Sequence, residues 1–350
     1  DDNNNGTLQA PFKTIATALS NTSANGIVRL RAGVYDQEII LNTNASNSPL
    51  TIEAYMNEQP LISGVDTLSV WTLDSGNIYY ASVAKEVTQV FVGTEQMQVA
   101  RWPNLTSNNL LSQEYASASN VDYLGSGVSS MVTDTNLTDI STIDIIGAKV
   151  WLPYPFLTKW NSLTETVTVQ TANSISFTAT ENFVENEDDV DYHLTGKLGL
   201  LDAEKEWFYD SATDRLYFYA PNGENPNKAA VLVKTNDYCV YDENKLSNVT
   251  IQGVDFFGSS VGLFNSENQN ILFHDVYFQY IGGALLFKDR LKGSETDKPI
   301  HIEGSKITME KCLFAGAQNS ALKVRGSELT IQNCVFLENN RHANFESRAL

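Results

Sequence analysis

The chain has 350 residues, with 23 Lys and Arg against 42 Asp and Glu, for a net charge of −19. Such a charge repels phosphate backbones and anionic bilayers, so neither nucleic acid nor a membrane surface is an expected partner. Apolar residues at 42% exclude disorder, no apolar run reaches the ~18–20 residues that span a bilayer, and 10% aromatics favour strands over helices.

The chain opens on Asp1-Asp2-Asn3 without a Met, which reads as a mature or excised segment. Asp1, Asn3, Asn5 and Gly6 match the first half of a calcium loop, but position twelve is Phe12 rather than the required Glu, so a polar turn is the better reading. Thr14–Ser20 places Ile15, Ala18 and Leu19 on one side of a short helix, suited to capping the end of a stacked structure. Gly26–Tyr35 and Leu50–Tyr55 then read as strands.

From about Leu105 to Lys234 the rhythm breaks. Thr106–Ile143 is rich in Ser, Thr and Asn and predicts long loops. Val150–Leu152, Thr166–Val169, Trp207–Tyr209 and Arg215–Tyr219 follow, separated by turn residues, and predict an antiparallel β module. Glu185–Asp191 holds five acids in seven residues; a solvated loop is the ordinary reading, and calcium is the candidate ion. Trp102 and Trp207 read as packing residues.

The last third carries a repeat. Val249–Phe256, Ile271–Phe278, Ile307–Phe314 and Leu329–Phe336 align with matching apolar positions. The first and last spacings are 22, and the middle one, 36, is one period plus a 14-residue insertion visible as the polar run Lys288–Pro299. Two short strands per period predict a parallel β-helix in which like residues stack rung upon rung. Val254, Val276, Cys312 and Cys334 form one expected inward ladder, and Phe256, Phe278, Phe314 and Phe336 the next. The cysteines are then core thiols.

The opening of the chain also resembles right-handed parallel β-helix proteins of the pectin-lyase-like group. The resemblance lies in Asp2-Asn3, Gly6-Thr7, Pro11–Ile15, Ala18-Leu19 and Arg31–Tyr35, and continues through Phe91–Gly93, Ala100–Asn104 and Leu201–Asp210. It implies an all-β, right-handed solenoid with an inserted β module and a short capping helix. The expected divisions are 1–104, 105–234 and 235–350, with the chain continuing past Leu350 because no closing cap is visible. It also implies a carbohydrate-active, extracellular or periplasmic monomer that cleaves a polysaccharide by lyase or glycoside hydrolase chemistry. A non-catalytic glycan-binding or adhesion protein is the alternative.

Alternation in the second strand of each repeat predicts outward columns Asn265–Phe287–Lys323 and Glu267–Asp289–Arg325, with Phe264 and Leu322 facing inward. Glu267 and Asp289 are candidates for the paired carboxylates of a glycosidase. Lys323 and Arg325 are candidates for the base and charge-neutralising groups of a lyase, with Lys288, Asn340 and His342 as substrate-binding candidates. An exposed ladder of ion pairs is the alternative for this column. His274 lies in a further outward column, Gln252–His274–Glu310–Gln332.

Overall fold

The computed structural model describes residues 1–41, 48–106, 114–153, 162–179, 184–282, 299–318 and 320–339. Its organising body is a parallel β-helix with three faces. The first face stacks Gly26–Leu30, Leu50–Ala54, Ser247–Gln252 and Gln269–His274, then the later parts of two 11-residue strands, Ile300–Glu310 and Leu322–Gln332. Its inward ladder runs Val28, Ile52, Ile251, Phe273, Met309 and Ile331. The second face stacks Gly33–Tyr35, Pro60–Ser63, Asp255–Phe257, Tyr277–Gln279, Leu313–Ala315 and Val335–Leu337. The third stacks Ile39–Ile40, Tyr238–Asp242 and Ser260–Leu263 on the early parts of the two long strands.

The aromatic ladder lies where the repeat placed it. Phe256, Phe278, Phe314 and Phe336 are stacked with ring centroids 5.0, 5.2 and 4.6 Å apart and nearly parallel planes. Val254, Val276 and Cys312 are buried beside them, and Cys334 packs against the same core. Burial pushes the Cys312 thiol up to about 12, as expected of an apolar packing group. The helix, Ile15–Ser20, is capped by the Thr14 hydroxyl accepting from the Thr17 N–H, and Ile15 and Leu19 close the core at this end. The Asp2 carboxylate accepts from the Lys13 and Thr14 N–H groups, so this part of the opening run is spent on the turn before the helix.

The two long strands turn from the third face to the first at Gly304 and Gly326, both at φ +141. A Cβ on Gly304 would lie 2.4 Å from the Asn268 carbonyl oxygen, so the corner requires glycine. The buried Asn268 side chain clamps this corner, accepting from the Leu246 N–H at 2.8 Å and donating to the Glu303 carbonyl at 3.0 Å.

The module begins earlier than residue 105. The second-face strand Pro60–Ser63 pairs directly with Asp255–Phe257, and the Thr235 and Asn236 N–H groups both donate to the Gly64 carbonyl. The described strands between belong to largely antiparallel sheets, including Val65–Leu68, Ile78–Ser82 and Val90–Val92. The alternation of these strands is the same in parallel and antiparallel sheets, so it does not mark the boundary. The stretch predicted as loops contains strands Ala116–Ala118, Asn120–Leu124 and Ser129–Thr133. Ser117, Asn120, Asp122 and Met131 alternate with buried Ala116, Ala118, Val121, Tyr123 and Val132, which join a core of their own. A separate core surrounds Trp71, Trp207, Leu216 and Phe218. Phe91 of the module meets Phe257 and Tyr280 of the solenoid at 4.9 and 5.1 Å.

Candidate functional site

The outer side of the third face gathers aromatic and titratable side chains. Tyr238 pairs with Ser260 but Val240 pairs with Val261, a bulge in the strand. The extra residue brings Tyr238 and Tyr241, three apart, to the same outer side, where their rings lie 5.9 Å apart. Phe264 meets each at 5.5 Å. Gly262 makes this arrangement possible: a Cβ there would lie 2.4 Å from Phe264 Cε2 and 3.1 Å from Tyr238 Cδ1. The missing side chain is the seat of the Phe264 ring.

His301 continues the platform one rung on, its imidazole edge-on to Phe264 at 5.0 Å. The His301 Nε2 lies 3.0 Å from Glu303 Oε1, and Arg325 Nη1 lies 3.6 Å from the same oxygen. Lys323 is the neighbour of His301 on the next rung, as Arg325 is of Glu303. Burial and the Lys323 charge hold the His301 pKa below the usual histidine range, while the Glu303 hydrogen bond opposes them. The imidazole is therefore neutral near pH 7. With Nε2–H donated to Glu303, the Nδ1 lone pair is the ring's basic position. Along the solenoid axis the order is rings, then a His–Glu pair, then cations, over rungs about 4.8 Å apart.

Residues 1–56 match a family model described as a protein of unknown function, DUF1565. No curated protein matches the chain. A solved structure described as a glycoside hydrolase superposes with a TM-score of 0.66 at 14% identity, covering 97% of this chain and 72% of the other. The chain has a parallel β-helix fold. A structure of XylC with xylose overlaps at a TM-score of 0.38 and 12% identity, over 97% of this chain and 52% of that one. The Gp54 tailspike of Acinetobacter baumannii bacteriophage AP22, in complex with a capsular saccharide, overlaps at 0.17 and 8% identity, over 89% and 53%. These two overlaps are too loose to carry an argument.

On this β-helix the sequence candidates separate. Lys323 and Arg325 are on the third face beside His301 and Glu303. Glu267 is not in their column: it lies on the following corner, exposed and 3.3 Å from Lys245. Asp289, Lys288, Asn340 and His342 lie outside the described residues. The expected register differs because the strand that stacks between Ser260–Leu263 and Leu322–Arg325 is Ile300–Glu303, which follows the insertion instead of preceding it. Gly262 therefore aligns with His301 and Lys323, and Leu263 with Ile302 and Val324. Phe264 is shifted by an odd number of positions from its expected place, which turns it outward. The missed signal was a second repeat: Ile300-His301-Ile302-Glu303-Gly304-Ser305 and Leu322-Lys323-Val324-Arg325-Gly326-Ser327 share spacing and corner.

His274 stands in its expected column, 4.0 Å from Glu310, and Gln252 donates to Glu53, which also pairs with Arg29. The run Glu185–Asp191 forms part of a strand, a turn and the start of the next strand; among the described residues no three His, Cys, Asp or Glu converge as metal ligands. In the module, Trp207 is buried and donates to the Met97 carbonyl, and Trp102 packs on a module core. Trp151 stacks with His193 and Tyr115, both at 5.2 Å.

Proposed function

We propose that the chain is the β-helix of a carbohydrate-active enzyme that holds a glycan across the outer third face and cleaves it by β-elimination at an acidic sugar. The observation that carries this reading is the continuity of Tyr238, Tyr241 and Phe264 with His301, Glu303, Lys323 and Arg325 on one strip. Aromatic faces stack on the apolar faces of sugar rings. Lys323 and Arg325 offset the uronate charge, which acidifies the proton α to the carboxylate. The neutral His301, oriented by Glu303, takes that proton at Nδ1. The electron pair forms the C4–C5 double bond as the C4–O bond breaks, and the leaving oxygen is protonated by water.

Hydrolysis is the second reading, favoured by the glycoside hydrolase whose fold overlaps this one. It would use Glu303 as one carboxylate of a pair, with Asp289 the sequence candidate for the other. Digestion of acidic and neutral polysaccharides, with and without a calcium chelator, separates the readings. New reducing ends with the ultraviolet absorbance of unsaturated uronates, lost in His301→Gln, are expected. The rate should rise with pH through an inflection below the ordinary histidine range, because the base acts only when neutral. Reducing ends without that absorbance would replace elimination by hydrolysis. Binding without cleavage would leave a glycan-binding protein.

A further inference from the structure

The module carries a second aromatic strip, on the side of a five-stranded sheet that packs on Ala100 and Leu201; the sheet includes Ile78–Ser82, Glu206–Asp210 and Arg215–Tyr219. The register sets Tyr80 beside Tyr217 and Tyr217 beside Phe208. Their centroids are 5.8 and 6.4 Å apart, a row of rings across three strands. The other side of the same strands sends Trp207, Leu216 and Phe218 into a module core. Tyr217 is buried against Ala100 and Leu201, and Tyr80 and Phe208 flank it half-buried at the margin of that cluster.

Arg215 lies over this row, its guanidinium carbon 4.4 Å from the Tyr80 centroid. The adjacent Tyr217 phenol raises its pKa further. Asp210, its cross-strand neighbour, is turned into the hairpin loop, accepting from the Ala212 N–H and the Thr213 hydroxyl. Asp74 acts on Arg215 from beyond pairing distance. Among the described residues no carboxylate forms an ion pair with Arg215, whereas Arg29, Arg31, Lys197, Lys205, Lys245 and Arg325 each have one. In a chain of net charge −19, a guanidinium seated over an aromatic ring, beside a phenol and without a carboxylate partner, is a place for an external anion. Beside an aromatic row with phenol hydroxyls, that anion is best supplied by a sugar acid, which offers a carboxylate, hydroxyls and an apolar ring face together.

We propose that Arg215, with the half-buried rings of Tyr80 and Phe208 on either side of the buried Tyr217, is a second glycan site, which takes a uronate residue of the polymer and holds it apart from the third face. The inference rests on the glycan reading above and assigns the module the role of retaining acidic substrate.

Calorimetric titration of the chain with tetragalacturonate and with xylotetraose tests it, using Arg215→Gln, Arg215→Lys and, for the third face, Phe264→Ala. Arg215→Gln should weaken tetragalacturonate by about tenfold or more, the scale of a lost charge-assisted hydrogen bond, and leave any xylotetraose binding unchanged. Arg215→Lys, which keeps the charge but loses the fork, should fall between; it decides the matter if the glutamine variant melts early. Combining Arg215→Gln with Phe264→Ala should remove binding that either alone retains. Unchanged tetragalacturonate affinity in a folded Arg215→Gln chain would overturn the second site, and the third-face reading would stand if Phe264→Ala still weakened binding. Equal loss of both sugars would overturn charge recognition. Loss only at Arg215, with Phe264→Ala silent, would keep this site and sink the third-face one. No binding of either sugar by the parent would overturn both.

Discussion

At the scale of single residues, the least conspicuous position on the third face has the largest leverage. Gly262 contributes no atoms to a sugar, yet the Phe264 ring occupies the space of its absent Cβ. Gly262→Ala should displace Phe264 and cost about 1–3 kcal/mol, the usual range for overpacking, so a lower urea midpoint and weaker glycan binding are expected together. Unaltered affinity would remove Phe264 from the platform. Glu206 offers a different test. Burial, with help from Asp202, pushes its carboxyl up to about 8. The unfolded chain releases this proton in the ordinary carboxylate range, so above that range the folded state binds more protons. Stability from this group is then complete in acid and is lost as pH rises to about 8. Glu206→Gln should flatten the fall in melting temperature across that window. His301 and Glu303 were hidden from the sequence reading because an insertion can be placed before or after a rung without altering the composition of either. The Gly-Ser corner shared by the two long strands resolves that choice.

At the scale of elements, the repeat was legible wherever identical residue types stack. The phenylalanine ladder needed only the two spacings of 22 and the 36 between them, one period plus the insertion, because four like rings in register have one economical arrangement. Phe278 has a ring on each side, so Phe278→Ala should destabilise the solenoid by about 3–5 kcal/mol through lost burial and the cavity left behind. Chemical denaturation measures this, and a cost near zero would mean that the ladder relaxes around the gap. The module was less legible. Its strands mix small polar residues with Ala, Val and Tyr, and even the buried side includes Ser130 beside Val132, so their composition suggests a loop. The bulge that aims Tyr238 was also invisible, since it is a property of pairing with Ser260 and Val261 and not of either strand alone.

At the scale of the whole molecule, solenoid and module have cores of their own and share a small cluster where Phe91 packs on Phe257 and Tyr280, beside which Gly64 receives Thr235 and Asn236 and the Gln96 and Gln318 amides pair. Removing residues 65–234 and joining Gly64 to Thr235 should leave a solenoid that keeps its β-sheet circular dichroism and melts cooperatively. Its melting temperature should fall, because the Phe257 and Tyr280 faces lose their cover. An unfolded product would show that the module is part of the solenoid's folding unit. The closeness of Gly64 to Thr235 also constrains how the chain is assembled as it is made. The strands ending at Leu30, Ala54 and Ser63 emerge early, but their next rung, Ser247–Phe257, does not exist until the whole module has been synthesised. Closing so long a gap is entropically slow. The regular rungs after Tyr238 lie much closer together in sequence and are the natural nucleus, with the earliest strands of the chain among the last to find their places.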